Sequence, residues 1–301
     1  MSAEAAFASR FIYLRTRKLR SPRIAKLQPG SGELGAFQTL GGEEWDKWPV
    51  GWTRDSRSVI FLSNPRGNLG IFQQDLRTHV TQPLLSVSPP GHVGNPVLTP
   101  DGRSLLFTQT DSVDSSASSV RIMRMPIGGG PATLVAKGSY SYDCSPRANV
   151  CVLSDIENER RVFALLNPLK GRGPDIAHAS STSAEIWRLS PDGKIIALPL
   201  GSEQSKLQFI PLDGSPSYGI DINSAEIQKI AWSSDNQHIY VSGRLGATWA
   251  ILRVGLDGKF KKLSEVTEGQ WLGLDGPSPD EHYLAYTFIS WEANAVMLEN
   301  F

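Results

Sequence analysis

Cysteine is nearly missing from this chain, with two in 301 residues. That is too few for a disulfide scaffold or a zinc site. Long apolar runs are missing too. None reaches the roughly 18 residues of a membrane-spanning helix, so no membrane span is expected. At the start, an Ala-rich patch precedes basic residues, the reverse of a secretory signal. No export address is expected here, although a longer parent protein would be free to carry one, so the compartment stays open. Neither charge sign prevails: Lys plus Arg is 30 and Asp plus Glu is 30. A general electrostatic pull toward nucleic acid is therefore not expected. Familiar catalytic motifs are absent as well. There is no Gly-x-Ser-x-Gly elbow, no His-Glu-x-x-His, no Gly-rich phosphate loop and no His-Arg-Asp catalytic loop. The five histidines, His79, His92, His178, His238 and His282, are far apart, and the last two share a repeat column beside a turn, where solvent is expected.

What the chain does have is a repeated turn. Leu189-Ser190-Pro191-Asp192-Gly193-Lys194 runs into the apolar Ile195–Leu198. Pro presets φ, Asp hydrogen-bonds local backbone and Gly accepts positive φ. Apolar runs on both sides make this a β-hairpin. Related turns start at Thr53, Thr99, Ser145, Ser233 and Ser278, each leading into an apolar strand, with Arg147 where the others have Asp. Successive turns are 46, 46, 45, 43 and 45 residues apart. A fixed period of that size marks a repeat architecture, and four short strands in about 40–45 residues make one propeller blade.

The expected fold is thus an all-β propeller of four-stranded blades, with repeats over 45–301 and a separate N-terminal stretch, 1–44. Strands are expected at Phe11–Leu14, Arg23–Leu27 and Ala36–Leu40 in that stretch. Two closures are open. In one, Phe37–Leu40 completes the last blade of a six-bladed ring, and residues 11–28 are an appendage. In the other, the N-terminal strands form a seventh blade that lacks its inner strand. The phase of Phe11–Leu14 with Phe61 and Phe107 favours seven, while the missing inner strand counts against it. The basic residues Arg15, Arg17, Lys18, Arg20 and Arg23 are expected in a solvated hairpin loop. A polar insertion, Asp111–Ser119, is expected to be a loop without the glycine and terminal glutamate of a calcium site.

The hairpins predict core columns across each turn: Trp52 and Val59, Leu98 and Leu105, Leu189 and Ile196, Trp232 and Ile239. Cys144 and Cys151 occupy the same columns. Free Cys is often a small buried hydrophobe, and that reading is preferred over a cross-strand disulfide.

The mouth of a propeller's central channel is expected from residues just before each inner strand. Here these are Asp46, Trp48, His92, Tyr140, Glu185, Glu226, Gln228 and Trp271. Aromatics mixed with a few acids suit a peptide or small ligand. The competing reading is packing between blades for the aromatics and a solvated rim for the acids.

The pattern [Ser/Thr]-Pro-Asp-Gly-[Arg/Lys] plus an apolar strand, best seen at Thr99–Phe107, Ser190–Leu198 and Ser278–Tyr286, resembles the WD40-like (PD40) repeats of TolB-type β-propellers. The tail Ser290–Phe301 is similar to the ends of propeller regions in large bacterial signalling proteins, where they follow a serine/threonine kinase or a winged-helix domain. The resemblance implies a non-catalytic sensory or interaction module, with a protein, peptide or small-ligand partner, no cofactor and no metal. The alternative is a metal-dependent, hydrolase- or lactonase-like enzyme with its site in the channel. A structural scaffold or remnant of a longer gene is a third reading.

Overall fold

A computed structural model of the chain describes residues 10–28, 32–41, 47–65, 68–111, 120–138, 140–179, 186–200, 205–222, 225–267 and 269–299. The described strands form six antiparallel sheets of four. β1 (Arg10–Leu27) and β2 (Leu34–Thr39) open the chain. The first blade is β3 (Lys47–Trp52), β4 (Ser58–Ser63), β5 (Gly70–Asp75) and β6 (Thr81–Ser86). The second is β7 (His92–Leu98), β8 (Ser104–Thr110), β9 (Arg121–Pro126) and β10 (Thr133–Lys137). The third is β11 (Ser141–Cys144), β12 (Cys151–Glu157), β13 (Arg160–Asn167) and β14 (Gly171–Ala179). The fourth is β15 (Arg188–Leu189), β16 (Ile195–Leu200), β17 (Lys206–Pro211) and β18 (Tyr218–Asp221). The fifth is β19 (Ala225–Trp232), β20 (His238–Leu245), β21 (Thr248–Gly255) and β22 (Phe260–Val266). The sixth takes its inner strands, β23 (Gln270–Pro277) and β24 (Tyr283–Glu299), from the C-terminus. Its third and outermost strands are β1 and β2.

The ring therefore has six blades, and the seventh that the phase of Phe11–Leu14 favours does not form. Those residues pair with β24 instead, Phe11 opposite Leu298 and Leu14 opposite Ala295. Residues 11–28 are not an appendage, and the basic stretch is not a hairpin loop. Both belong to one continuous strand. The physical reason is edge satisfaction: β24 would otherwise expose a row of unpaired backbone groups, and a seventh blade would begin with an open inner edge. The polar insertion at 112–119 lies outside the described residues.

The core lies between the blades, in six apolar clusters, one at each seam. Fully buried Phe61 sits at the seam of blades six and one, Phe107 at one and two, and Phe209 at four and five. The closing strand feeds both of its neighbours. Ile24 packs with Trp52 and Val59 of the first blade, while Ala25 and Leu27 pack with Tyr240 and Ile251 of the fifth.

Each inner hairpin is held by the repeated turn. Thr99 Oγ1 donates to Asp101 Oδ1 at 2.6 Å and accepts from the Ser104 amide at 3.1 Å. The same clasp joins Thr53 to Asp55, Ser190 to Asp192, Ser233 to Asp235 and Ser278 to Asp280. The five core columns pair as expected, for example Trp52 with Val59 and Trp232 with Ile239. Successive turns also tie to one another. The Asp192 amide reaches Asn236 Oδ1, the Ser234 amide reaches Glu281 Oε1, and the Asp280 amide reaches Ser56 Oγ. Gly193 shows how tightly they approach: its φ is +71°, and a Cβ there would sit 2.9 Å from Ala148 of the preceding turn.

The third blade breaks the pattern. Ser145 has Arg147 two residues on, so its Oγ donates to the Pro191 carbonyl of the next blade. Its hairpin carries a different fastening: Cys144 and Cys151 are directly paired and joined by a disulfide. The preferred expectation of two free thiols is thus corrected. The two columns are buried, and opposite residues in antiparallel strands bring Cβ atoms within bonding reach.

The clasps set an acid sensitivity. Burial opposes ionisation of Asp280, but bonds from Ser278 and His282 win and hold its carboxyl down at about 2. The Thr99 hydroxyl likewise lowers Asp101, and Thr53 lowers Asp55. A folded-state pKa below the unfolded value of about 3.9 gives stability that is complete above that value and lost as pH falls toward the folded one. Asp280→Asn should therefore lower Tm at neutral pH, and the difference from the native chain should shrink between about pH 4 and pH 2. Melting curves across that range check it; a difference constant with pH would contradict it.

Candidate functional site

The clasped turns gather at the end of the ring where the inner strands finish. The inner strands begin at the other end. Trp48 and Trp271 are second in β3 and β23, His92 opens β7, and Tyr140 directly precedes β11. Gln228 sits in β19 at a break in register between Ile227 and Lys229. Asp46 and Glu185 lie outside the described residues.

The surroundings of these residues differ. His92 is exposed, while Trp48, Tyr140, Gln228 and Trp271 are half-buried. The Arg20 guanidinium of the closing strand lies 4.7 Å over the Trp48 ring. Trp271 meets Trp249 edge-on, with centroids 5.6 Å apart, across the seam of blades five and six. Its ring also lies on Gly273, where a Cβ would come within 2.5 Å. Gln228 donates to Glu226 Oε1 at 3.3 Å. Two of the aromatics thus have packing partners while part of their surface remains exposed. That combination of rigid aromatic surface and a nearby polar group is what binding hot spots use.

Sequence reasoning missed Arg20 and Trp249, and it missed the buried charges of the inner strands. Asp275 is 3% exposed and is held by Lys229 Nζ of the fifth blade at 3.3 Å and by the Thr287 hydroxyl at 2.8 Å. Asp143 of the third blade accepts from the Leu189 amide of the fourth at 3.0 Å and from the Cys144 amide at 2.9 Å. Burial pushes both carboxyls up, opposed by Lys229 at Asp275 and by Arg188 at Asp143. The two interblade contacts each span 46 residues, one repeat. For Asp275 the signal available was a charged residue in an otherwise uncharged repeat column with Val50, Trp187 and Ile230. No group of three or more His, Cys, Asp or Glu suited to a metal occurs among the described residues.

A cleft of about 760 Å³ opens at the opposite end, at the seam of blades six and one. It is lined by Lys26, Arg57, Arg77, Asp55, Asp75 and Asp280, among others. Its aspartates are occupied with their own turns, as Asp75 Oδ1 is with the Arg77 and Thr78 amides. It does not include any of the mouth residues.

No known family and no curated protein matches the sequence. Solved structures do match the fold. TolB from Acinetobacter baumannii superimposes with a TM-score of 0.63 at 16% identity, over 90% of this chain and 66% of that one. Putative TolB from Agrobacterium tumefaciens gives 0.65 at 15% identity, over 90% of this chain and 98% of that one. An oligogalacturonate lyase in complex with manganese gives 0.56 at 12% identity, over 92% and 78%. The chain is thus a six-bladed propeller structurally similar to the TolB propeller, and at such identities the likeness concerns the fold alone.

The Lys229–Asp275 pair makes an asymmetric prediction. Lys229→Met strands a buried carboxylate and should cost about 2–3 kcal/mol in urea denaturation. Asp275→Asn should cost less, because Asn still accepts from Thr287 and the half-exposed Lys229 is freed toward water. The reverse order would contradict the assignment.

Proposed function

We propose that this propeller is a non-catalytic binding module whose ligand surface is the end of the ring where the inner strands begin. A protein or peptide partner, or a small ligand, is held against the half-buried Trp48, Tyr140 and Trp271, with His92, Gln228 and Glu226 as polar contacts. The finer reading is a sensory or interaction propeller of a bacterial signalling system, carried by the likeness of the Ser290–Phe301 tail to such proteins.

The observation that most supports this is the Trp249–Trp271 pair together with Arg20 over Trp48. These contacts immobilise large aromatic rings in advance at one end of a rigid ring. Pre-organised aromatic surface lowers the ordering cost of association. The buried charges lend no catalytic reading, since Asp143 and Asp275 are engaged in bonds between blades.

The test is a thermal-shift screen of the full chain against peptides, metabolites and divalent metals. A ligand that binds only the native state raises Tm with its occupancy. A peptide or metabolite shift that Trp271→Ala abolishes is expected. A shift produced by a divalent metal, accompanied by hydrolysis of a lactone or ester substrate, would overturn the reading in favour of a channel enzyme.

A further inference from the structure

The cleft at the seam of the sixth and first blades is walled by three turns and the end of the closing strand. The β23–β24 turn brings Asp280 and His282, the β3–β4 turn Asp55 and Arg57, and the β5–β6 turn Asp75 and Arg77, while β1 ends there with Lys26 and Leu27. These four segments are bonded to one another in a row. The Leu27 amide donates to the His282 carbonyl at 2.9 Å, the Asp280 amide to Ser56 Oγ at 3.1 Å, and the Leu76 amide to the Arg57 carbonyl at 2.9 Å. The walls are thus fixed before anything enters, which lowers the ordering cost of binding. The volume, about 760 Å³, is that of a small-molecule site.

The turns repeat one arrangement. In each, Asp Oδ1 accepts the amide of a basic residue two positions on: Arg57 at 3.1 Å for Asp55, Arg77 at 2.9 Å for Asp75 and His282 at 3.1 Å for Asp280. The bond uses the backbone and not the basic side chain. Asp280 is closed further, with Oδ2 2.9 Å from His282 Nδ1. At Asp55 and Asp75 the hydrogen bonds fall on Oδ1, and Oδ2 takes none among the described residues. Lys26, Arg57 and Arg77 are exposed, and among the described residues none of them forms an ion pair with a carboxylate. In formal charge they balance Asp55, Asp75 and Asp280, so with His282 neutral the lining carries no net charge. Tyr283, half-buried and stacked on Trp52 with centroids 6.2 Å apart, adds an aromatic wall.

We propose that this cleft binds a short neutral oligosaccharide. The zero balance gives a strongly charged ligand of either sign no advantage. A small zwitterion would use one cation and one carboxylate and leave the other open groups unmatched. A sugar carries hydroxyls on neighbouring carbons, and each donates and accepts at once. Such hydroxyls can donate to Oδ2 of Asp55 and Asp75 and accept from Arg57, Arg77 and Lys26, whose charge strengthens the bonds. The planar guanidinium fork spans two adjacent oxygens, and the C–H face of a sugar ring suits the Tyr283 wall. The cleft lies at the opposite end of the ring from Trp48 and Trp271, so the two sites stand or fall independently.

The experiment is isothermal titration calorimetry of the full chain with maltotriose, cellotriose and triacetylchitotriose, beside trisaccharides of glucuronic acid and of glucosamine. One of the three neutral sugars is expected to bind, with an affinity that hardly changes with added salt, because no net charge is neutralised. The double variant Arg57→Gln, Arg77→Gln is expected to lower that affinity about tenfold or more, with Tm unchanged, since both side chains are exposed. Lys26→Gln, on a different segment, is expected to weaken binding as well. No heat from any neutral trisaccharide at millimolar concentration overturns the proposal. Equal binding by the native chain and the double variant also overturns it, because the sugar then sits elsewhere. Tighter, salt-sensitive binding of the glucuronic acid or glucosamine trisaccharide would assign the cleft to a charged ligand and overturn it as well.

Discussion

Everything in this ring depends on one strand pairing, that of β1 with β24. Five of the six blades are made from consecutive sequence, and each could hold its own four strands in order. The sixth cannot. Its two inner strands come from one end of the chain and its two outer strands from the other. Without β1, β24 presents an unpaired edge and the seams on both sides of the blade lose apolar partners. Ile24 is taken from the seam with the first blade, and Ala25 and Leu27 from the seam with the fifth. The core of a propeller is divided among its seams, so removing one contribution loosens two neighbouring clusters rather than one.

The same division explains which features were legible in the sequence. Hairpin chemistry is local, so the turns at Thr99, Ser190 and Ser278 could be read with their clasps, and the paired columns such as Trp52 with Val59 followed from them. Closure is not local. Arg15 to Arg23, with Ser21-Pro22 inside, has the composition of a solvated turn, and the phase of Phe11–Leu14 mimics one more blade. Nothing within the segment announces that its partner lies some 270 residues away. Pro22 fits a strand here because its carbonyl still serves the ladder by accepting the Leu40 amide, while its missing N–H costs no essential bond near the outer strand. The cysteines were a closer case: their columns were right, and the departure of Arg147 from the Asp clasp marked the one hairpin that has a different fastening.

Of the candidate residues, the sequence carried only their place along the strands. Counting by the repeat put Trp48, His92, Tyr140 and Trp271 at or beside the first residue of an inner strand, which is a matter of register, while Gln228 falls inside β19. Their partners Arg20 and Trp249 come from other strands, and Arg20 from the closing strand itself, so no column count could supply them. The interblade charge Asp275 shows the reverse situation: its repeat column, with Val50, Trp187 and Ile230, is otherwise uncharged, but a lone charged residue in such a column reads first as an irregularity. The closing strand completes the ring and supplies the cation over Trp48.

The most direct test of this account is native-state hydrogen exchange of the amides of Ile24 and Ala25 compared with those of Val59 and Leu106. If β1 is an integral strand of the sixth blade, all four exchange only through global unfolding and share one opening free energy, which falls together as denaturant is added. If Ile24 and Ala25 exchange by a separate opening of much lower free energy while Val59 and Leu106 stay protected, the ring stands without β1, and the central role given to this strand is wrong.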